Sequence, residues 1–207
     1  MRRKHIAVVA VILGFACLAS HSSANLLVNP GFEGSITGWE AGSSNSCGAW
    51  HWVNHPEALA GSNLVAIGAW DLGGHGQWLQ TVDDVSQGET FDFSVYAKTE
   101  SAFAGTVYLR TDYLDASETT LLSVTNSGIS GEFTDWQQLS FSPAAAPAGT
   151  VEADFIIYVE GTANSAMFDD AEVVSTVIPE PSSFSLTAAA LLAGFGVCRR
   201  SRMKRKS

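Results

Sequence analysis

The sequence predicts an all-β fold, a β-sandwich, for residues 25–176 of the 207-residue chain. Three observations support this prediction. Apolar and polar residues alternate with a period of two, as in half-buried strands. Turn-rich stretches such as SQGE and SPAAAPAG separate these runs, and no long amphipathic helix pattern occurs between them. Many short strands with such turns are typical of a sandwich.

Residues 1–24 are predicted to be a signal peptide. Arg2, Arg3 and Lys4 precede an apolar run from residue 6 to residue 19, and small residues at 22–24 offer a cleavage site. This order of basic, apolar and small residues is the signature of an export signal. The mature protein is therefore expected to begin near Asn25.

The alternation is clearest in residues 91–98, 107–113 and 151–160. Apolar side chains hold one parity of each stretch, and polar or aromatic side chains hold the other. Shorter runs occur at NLVAIGA, QWLQTV, TTLLSV and WQQLSF. Cys47 is the one cysteine between the two end segments, so no internal disulfide is expected. A bound cation is an alternative clamp for such a domain.

Residues 177–207 close the chain with Pro179, Glu180 and Pro181, an apolar run over residues 184–198, and a basic end. The prolines favour an extended backbone. The apolar run is shorter than the ~20 residues that a permanent membrane span needs. Because basic flanks stay in the cytoplasm, the acidic middle of the chain is expected to lie outside the inner membrane.

These three features, in this order, resemble the PEP-CTERM sorting signal of Gram-negative bacteria. The resemblance implies recognition by an exosortase, a membrane cysteine protease, with cleavage near the prolines. It also implies a short transmembrane sorting helix that anchors the protein only transiently. The protein would then reach the cell surface or the extracellular matrix of a bacterium that makes exopolysaccharide.

Charge is segregated along the chain. Nine of the eleven basic residues lie in the two end segments, and all 21 acidic residues lie between Glu33 and Glu180. An acidic body of this kind is repelled by phosphate backbones, so a nucleic acid partner is not expected. It is suited to divalent cations.

Four segments of the middle region, in order, resemble the galactose-binding-like jelly rolls that include many carbohydrate-binding modules. They are NLLVNPGFEGSITGW, GQWLQTVDDVSQGETFDFSVYAK, TDWQQLSFSPAAAPAGTVEADFIIYV and MFDDAEV. The resemblance implies a jelly-roll β-sandwich. It indicates the fold more strongly than the ligand, because the superfamily has many functions.

The same resemblance implies a structural calcium ion that ties the start of the domain to its last strand. Its candidate ligands are the Gly31 carbonyl and the carboxylates of Glu33 and Asp169. Three residues of the last strand are expected to face inward: Met167, Ala171 and Val173. On that parity Asp169 also faces inward, where a carboxylate needs a partner. The alternative is that Asp169 accepts backbone N–H bonds at a turn and Glu33 is solvated.

Sugars are bound by stacking on flat aromatic faces beside polar groups. The candidate glycan-binding residues are seven aromatic residues and one arginine: Trp50, Trp52, Trp70, Trp78, Tyr96, Tyr108, Arg110 and Tyr158. The tyrosines and Arg110, with Asp112, would share a face if their strands are neighbours in register. The alternative is that the tyrosines are ordinary residues of a solvated sheet face and that about half of the tryptophans are packed.

No catalytic residue is predicted. The sequence contains no nucleophile elbow, phosphate loop or dinucleotide fingerprint. His51 and His55 have helical metal-site spacing, but Pro56 and the local β pattern argue against a helix there. The sequence thus predicts a non-catalytic, exported protein that associates with exopolysaccharide. A structural or adhesive matrix protein without a sugar ligand and a small glycan-active enzyme are the alternatives, and the oligomeric state stays open.

Overall fold

The computed structural model describes residues 24–44, 47–69 and 74–176. The predicted signal peptide, the sorting segment and Trp70 lie outside these ranges. Within them there are eleven strands and no helix, and so no helix that is long and apolar enough to cross a bilayer. The strands are β1 (Glu40–Ser44), β2 (Cys47–Trp52), β3 (Leu64–Ala69), β4 (Gly74–Asp83), β5 (Phe91–Thr99), β6 (Ala104–Leu114), β7 (Thr120–Thr125), β8 (Ile129–Ser130), β9 (Gln137–Phe141), β10 (Glu152–Ala163) and β11 (Ser165–Ser175).

The strands form two sheets, which confirms the all-β sandwich. One sheet has six strands in the order β1-β4-β10-β6-β7, with β8 beside β6. The other has five strands in the order β2-β3-β11-β5-β9. Every pairing is antiparallel. The long strand β10 lies between β4 and β6 and therefore carries the centre of the six-stranded sheet.

The core lies between the sheets, and the predicted alternation supplies it. On β5 the inward residues Phe91, Phe93 and Val95 are fully buried, while Asp92 between them is exposed. Phe155 of β10 meets Phe91 and Phe93 edge to face, with ring centroids 5.3 and 5.5 Å apart. These contacts join the two sheets, and loss of the Phe155 ring would cost about 3–5 kcal/mol.

A bulge in β11 overturns one parity prediction. The register of β11 with β5 shifts between Asp169 and Glu172, and Asp170 has a positive φ of 51°. Ala171 and Val173 lie in the core as expected, but Met167 packs with Leu64 and Ala66 on the outer face of the five-stranded sheet. Asp169 lies opposite Tyr96 and shares that outer face, so its predicted inward orientation is wrong too. The extra residue at the bulge changes the side to which the strand points its alternate side chains.

The first residues of the domain pack beside its last strand. The Leu26 amide donates to the Val173 carbonyl at 2.8 Å, and the Ala171 amide donates to the Pro30 carbonyl at 2.9 Å. The Gln80 side chain bonds both backbone groups of Val28, at 2.5 and 3.0 Å, which satisfies a buried amide. Hydrogen bonds therefore hold the two ends of the domain together.

Candidate functional site

The register of the six-stranded sheet brings two candidate tyrosines side by side. Tyr158 of β10 is directly opposite Tyr108 of β6 and, on its other side, Gln77 of β4. Residues that are directly opposite share a face of the sheet. Because their neighbours in sequence are buried in the core, these three side chains point away from it. They lie at the centre of a surface that we call the polar face: His75, Gln77, Tyr108, Arg110, Asp112, Asp154, Tyr158 and Glu160.

Aromatic contacts order the centre of the polar face. The rings of Tyr158 and His75 stack with centroids 5.1 Å apart, and Tyr108 is tilted against Tyr158 at 6.1 Å. The Arg110 guanidinium lies 5.8 Å from the Tyr158 ring centroid, a cation–π distance. His75 and Arg110 reach Tyr158 from opposite directions along β10, because their register partners there are Glu160 and Ile156. Tyr158 is thus held between them.

Arg110 is held by a carboxylate two residues further along its own strand. Its Nη2 donates to Asp112 Oδ2 at 2.7 Å. The other carboxylate oxygen of Asp112 accepts a bond from the Ser123 hydroxyl on β7. Asp112 is 8% exposed, so two anchors fix a nearly buried carboxylate. The Arg110 Nε is buried and, among the described residues, has no hydrogen-bond partner.

Asp154 lies directly opposite Asp112 on the neighbouring strand. Partial burial raises the pKa of Asp154, and the charges of Asp112 and Glu40 raise it further. A hydrogen bond from the Thr81 hydroxyl, at 2.7 Å, opposes this shift. Partial burial and the Glu160 charge likewise raise the pKa of Tyr158, which keeps its hydroxyl as a donor.

Carboxylates surround the aromatic centre. By register, the outward positions of β1, β4, β10 and β6 carry six acidic residues: Glu40, Asp83, Asp112, Glu152, Asp154 and Glu160. Arg110 is the one lysine or arginine on this surface in the described part of the chain. The local potential is therefore negative, in line with the acidic body.

Two predicted glycan residues lie elsewhere. Tyr96 is on β5 of the five-stranded sheet, so it cannot share a face with Tyr108 and Tyr158. Trp78 is 1% exposed in the core, where its indole Nε1 donates to the Ala66 carbonyl at 3.4 Å. Trp78 has the inward parity of β4, between Gln77 and Leu79 on the outward parity. Both placements correct the prediction of one shared surface.

Trp50 and Trp52 belong to a packing cluster on the outer face of the five-stranded sheet. Together with Ala58 and Trp136 they cover Leu64, Ala66 and Met167. The Trp52 ring stacks on His55 at 4.9 Å, and the Trp136 indole donates to the Glu57 carbonyl at 3.0 Å. The cluster seals loop 53–63 onto the sheet. These tryptophans are half-buried, which agrees with the alternative that about half of the tryptophans serve in packing.

The two candidate calcium carboxylates hold the same loop. Glu33 Oε1 accepts the amides of Ser62 and Asn63 at 2.7 and 2.9 Å. Asp169 Oδ2 accepts the amides of Leu59 and Ala60 at 2.9 and 3.1 Å, and its Oδ1 accepts the following amide of the bulge.

These hydrogen bonds affect the two carboxylates differently. They lower the pKa of Glu33, those from Asn63 and Ser62 being the main cause. Asp169 is fully buried, and this burial raises its pKa despite its three bonds.

The described contacts satisfy both carboxylates with backbone N–H groups. Such donors point positive hydrogen atoms at the oxygens, as a cation would. In the described ranges, no three His, Cys, Asp or Glu side chains gather closely enough to hold a metal ion. Gly31 lies in the turn just before Phe32, whose carbonyl bonds the His51 ring at 2.8 Å. The two carboxylates by themselves do not form an oxygen cage, and calcium stays a prediction.

Sequence reasoning missed four members of the polar face: His75, Gln77, Asp154 and Glu160. The signal for the first two was their shared parity in the run GHGQWLQ, where the inward position is a tryptophan. Asp154 shares the parity of Tyr158, and only the strand order shows that it lies opposite Asp112.

Comparisons with known proteins agree with this architecture. A family model described as a carbohydrate binding domain matches residues 24–165. The fold is similar to that of TmCBM61 in complex with β-1,4-galactotriose, at 19% identity and a TM-score of 0.52, over 74% of this chain and 99% of that one. It is also similar to the CBM22-1 xylan-binding domain of Paenibacillus barcinonensis Xyn10C, at 15% identity and a TM-score of 0.54, over 74% and 95%.

A larger protein contains a similar domain. The enzymatically active domain of bacteriophage CBA120 tailspike protein 4 matches at 15% identity and a TM-score of 0.59, over 73% of this chain but 21% of that one. At these identities the likeness concerns the fold alone. Among curated protein sequences, none matches this chain.

Proposed function

Because the chain belongs to the carbohydrate binding domain family, we propose that its polar face binds a polysaccharide. The observation that supports this proposal is the row Gln77, Tyr158 and Tyr108, which crosses three adjacent strands. Neighbouring strands lie about 4.8 Å apart, a step comparable with one pyranose ring of an extended glycan. The row therefore offers one contact to each of two or three successive sugar residues.

Each side chain of the row has a role that fits a sugar. The Tyr108 ring gives an apolar surface for the C–H groups of a pyranose. Tyr158 is flanked by His75 and Arg110, so its hydroxyl and ring edge are the parts that meet the ligand. Gln77, Arg110 and Glu160 supply donors and acceptors for sugar hydroxyls.

Titration calorimetry with a glycan panel tests this proposal. The panel contains β-1,4-galactotriose and xylan, the ligands named for proteins of similar fold, together with bacterial exopolysaccharide. Tyr108→Ala and Tyr158→Ala should each lower the affinity of the purified protein by about two- to tenfold, as expected for aromatic contacts. Tyr96→Ala is the matched control on the other sheet and should bind like the wild type. Equal loss in all three variants, or no binding by the wild type, contradicts the proposal.

We also propose that the protein is exported, sorted by an exosortase and released at the cell surface or into the matrix. The basic, apolar and small residues of segment 1–24 and the Pro-Glu-Pro tail support this part. Mass spectrometry of the protein recovered outside the cell should find a C-terminus near Pro179–Pro181. Recovery of the intact tail from the cytosol contradicts it.

A structural calcium ion near Glu33 and Asp169 is a separate proposal. It is supported by the convergence of two carboxylates from the two ends of the domain on loop 59–63. When bound, calcium would crosslink the two carboxylates. Without it, the loop amides already satisfy them. Chelation therefore discriminates between a metal clamp and a hydrogen-bonded clamp.

A structural matrix protein without a sugar ligand is the second candidate function. It is favoured by the packing of Trp78 in the core and of Trp50 and Trp52 beneath loop 53–63. We propose no catalysis, because the oxygens of Asp112 are bonded to Arg110 and Ser123 while Asp154 is bonded to Thr81. The glycan panel separates the two candidates.

A further inference from the structure

Arg110 is fixed in place and retains unused donors. A guanidinium has five N–H groups, and the Asp112 bond uses one of them. Its Nε is buried and out of reach of a ligand, but the side chain is 31% exposed, and its two Nη groups keep three further N–H donors beside the Tyr158 ring. Arg110 can therefore donate to a ligand that contacts Tyr158 without leaving Asp112.

Asp112 determines where that guanidinium lies. The carboxylate is nearly buried, and its second oxygen is anchored by Ser123 from the neighbouring strand β7. A flexible arginine side chain loses less entropy on binding when it is already held in position. Asp112 is therefore a positioning residue, since it acts on a ligand through Arg110.

The same contact removes the positive charge that an acidic sugar would seek. The Arg110 charge is compensated at 2.7 Å by Asp112, and Asp154 and Glu160 occupy the neighbouring strand. Lys98, the second described Lys or Arg, lies on the five-stranded sheet and pairs with Glu57 at 3.3 Å. An approaching uronate carboxylate meets net repulsion, whereas neutral hydroxyl groups do not.

We propose that Asp112 sets the ligand preference of the polar face: by positioning and neutralising Arg110, it makes the face select uncharged glycans and reject polyuronates. This inference rests on the proposed function, because it assumes that a glycan binds at the polar face. According to this inference, the role of Arg110 changes when Asp112 loses its charge. In the wild type the guanidinium donates to hydroxyls, and without the Asp112 charge it becomes free to pair with a carboxylate.

The test compares a neutral and an acidic probe on the purified protein. Calorimetry measures affinity for β-1,4-xylohexaose and for an alginate oligosaccharide of similar length. Asp112→Asn should raise the ratio of alginate to xylohexaose affinity about tenfold, the effect of one hydrogen bond to a charged group. Asp135→Asn is the matched control, because it removes the same charge from an exposed loop residue outside the polar face. An unchanged ratio in Asp112→Asn overturns the inference.

Two further arms separate the possible failures. In the double variant Asp112→Asn/Arg110→Gln the gain for alginate should disappear, and a gain that persists shows that Arg110 is not involved. The single variant Arg110→Gln changes a side chain that is partly exposed, at 31%. It therefore tests the inference even if Asp112→Asn fails to fold. It should weaken xylohexaose binding about tenfold, and unchanged binding overturns the inference. If the wild type binds neither of these probes nor any other glycan of the panel, the proposed function is overturned as well; if it binds another uncharged glycan of the panel, that glycan replaces xylohexaose in this test.

Salt provides a readout that a merely structural role of Asp112 would not change. Alginate binding by the wild type should strengthen as salt screens the acidic face, and this salt response should be smaller in Asp112→Asn, whose face has one negative charge fewer. Xylohexaose binding should be insensitive to salt in both proteins. The same salt response for alginate in both proteins contradicts the inference.

Discussion

Replacement of Asp169 by alanine tests the clamp on loop 59–63. The carboxylate is fully buried and accepts three backbone N–H bonds, from Leu59, Ala60 and Asp170. A hydrogen bond to a charged group contributes roughly 1.5–3 kcal/mol, so three bonds set an upper limit of about 9 kcal/mol. Two facts lower this figure. Leu59 and Ala60 are exposed and can bond water instead, and the burial that raises the pKa of Asp169 already opposes its ionisation. We expect a net loss of about 2–3 kcal/mol.

Urea unfolding followed by tryptophan fluorescence measures this loss, because Trp52 and Trp136 contact His55 and Glu57 in loop 53–63, which includes the clamped residues. For a domain of this size the change corresponds to a fall in Tm of roughly 4–12 °C. Glu172→Ala is the control, since it removes an exposed carboxylate three residues further along the same strand. A difference of less than about 0.5 kcal/mol between the two variants would refute the clamp.

The remaining predictions concern the same loop and the polar face. In urea unfolding, Gly61→Ala should destabilise the protein by at least about 1 kcal/mol more than Gly88→Ala. Both glycines have positive φ, but a Cβ at Gly61 would lie 2.1 Å from Glu33 Oε1, whereas a Cβ at Gly88 would touch nothing. Equal losses of stability in the two variants would argue against contact with Glu33. Burial raises the pKa of Asp154, so ionisation of this carboxylate destabilises the folded state. This destabilisation appears as the pH rises above 3.8, the ordinary pKa of an aspartate. Asp154→Asn should therefore increase the urea midpoint at pH 7 and leave it nearly unchanged at about pH 3, and a loss of stability at pH 7 would contradict this reasoning. If calcium binds, EDTA should lower the Tm of the wild type and have no effect on Asp169→Ala, whereas a wild-type Tm insensitive to EDTA leaves the hydrogen-bonded clamp as the whole account.

From the sequence, the side of a strand on which a residue lies is easier to predict than the sheet to which the strand belongs. Tyr108 and Tyr158 were expected to share a face, and strand pairing brings them together. Tyr96 has the same local pattern, but β5 pairs with β11 and β9 in the other sheet. Strand order depends on long-range pairing, and alternation within one strand carries no information about it.

Two other differences have local causes that alternation does not reveal. The bulge at Asp170 turns Met167 outward, although Ala171 and Val173 face the core as expected. Trp78 shares its parity with Gln80, a polar residue buried by its bonds to Val28, so the inward side of β4 does not read as apolar. Both effects depend on one extra residue or one buried polar partner rather than on a periodic pattern.

The proposed glycan site is tested most directly by mapping the ligand onto the backbone amides of the purified protein by NMR. Titration with a glycan that binds should shift amides of β4, β6 and β10, with the largest changes near Gln77, Tyr108 and Tyr158. Amides of β2, β3 and β9 in the other sheet should change little. Shifts that centre on the five-stranded sheet, or saturating glycan that leaves the six-stranded sheet unchanged, would contradict the assignment of the polar face as the binding surface.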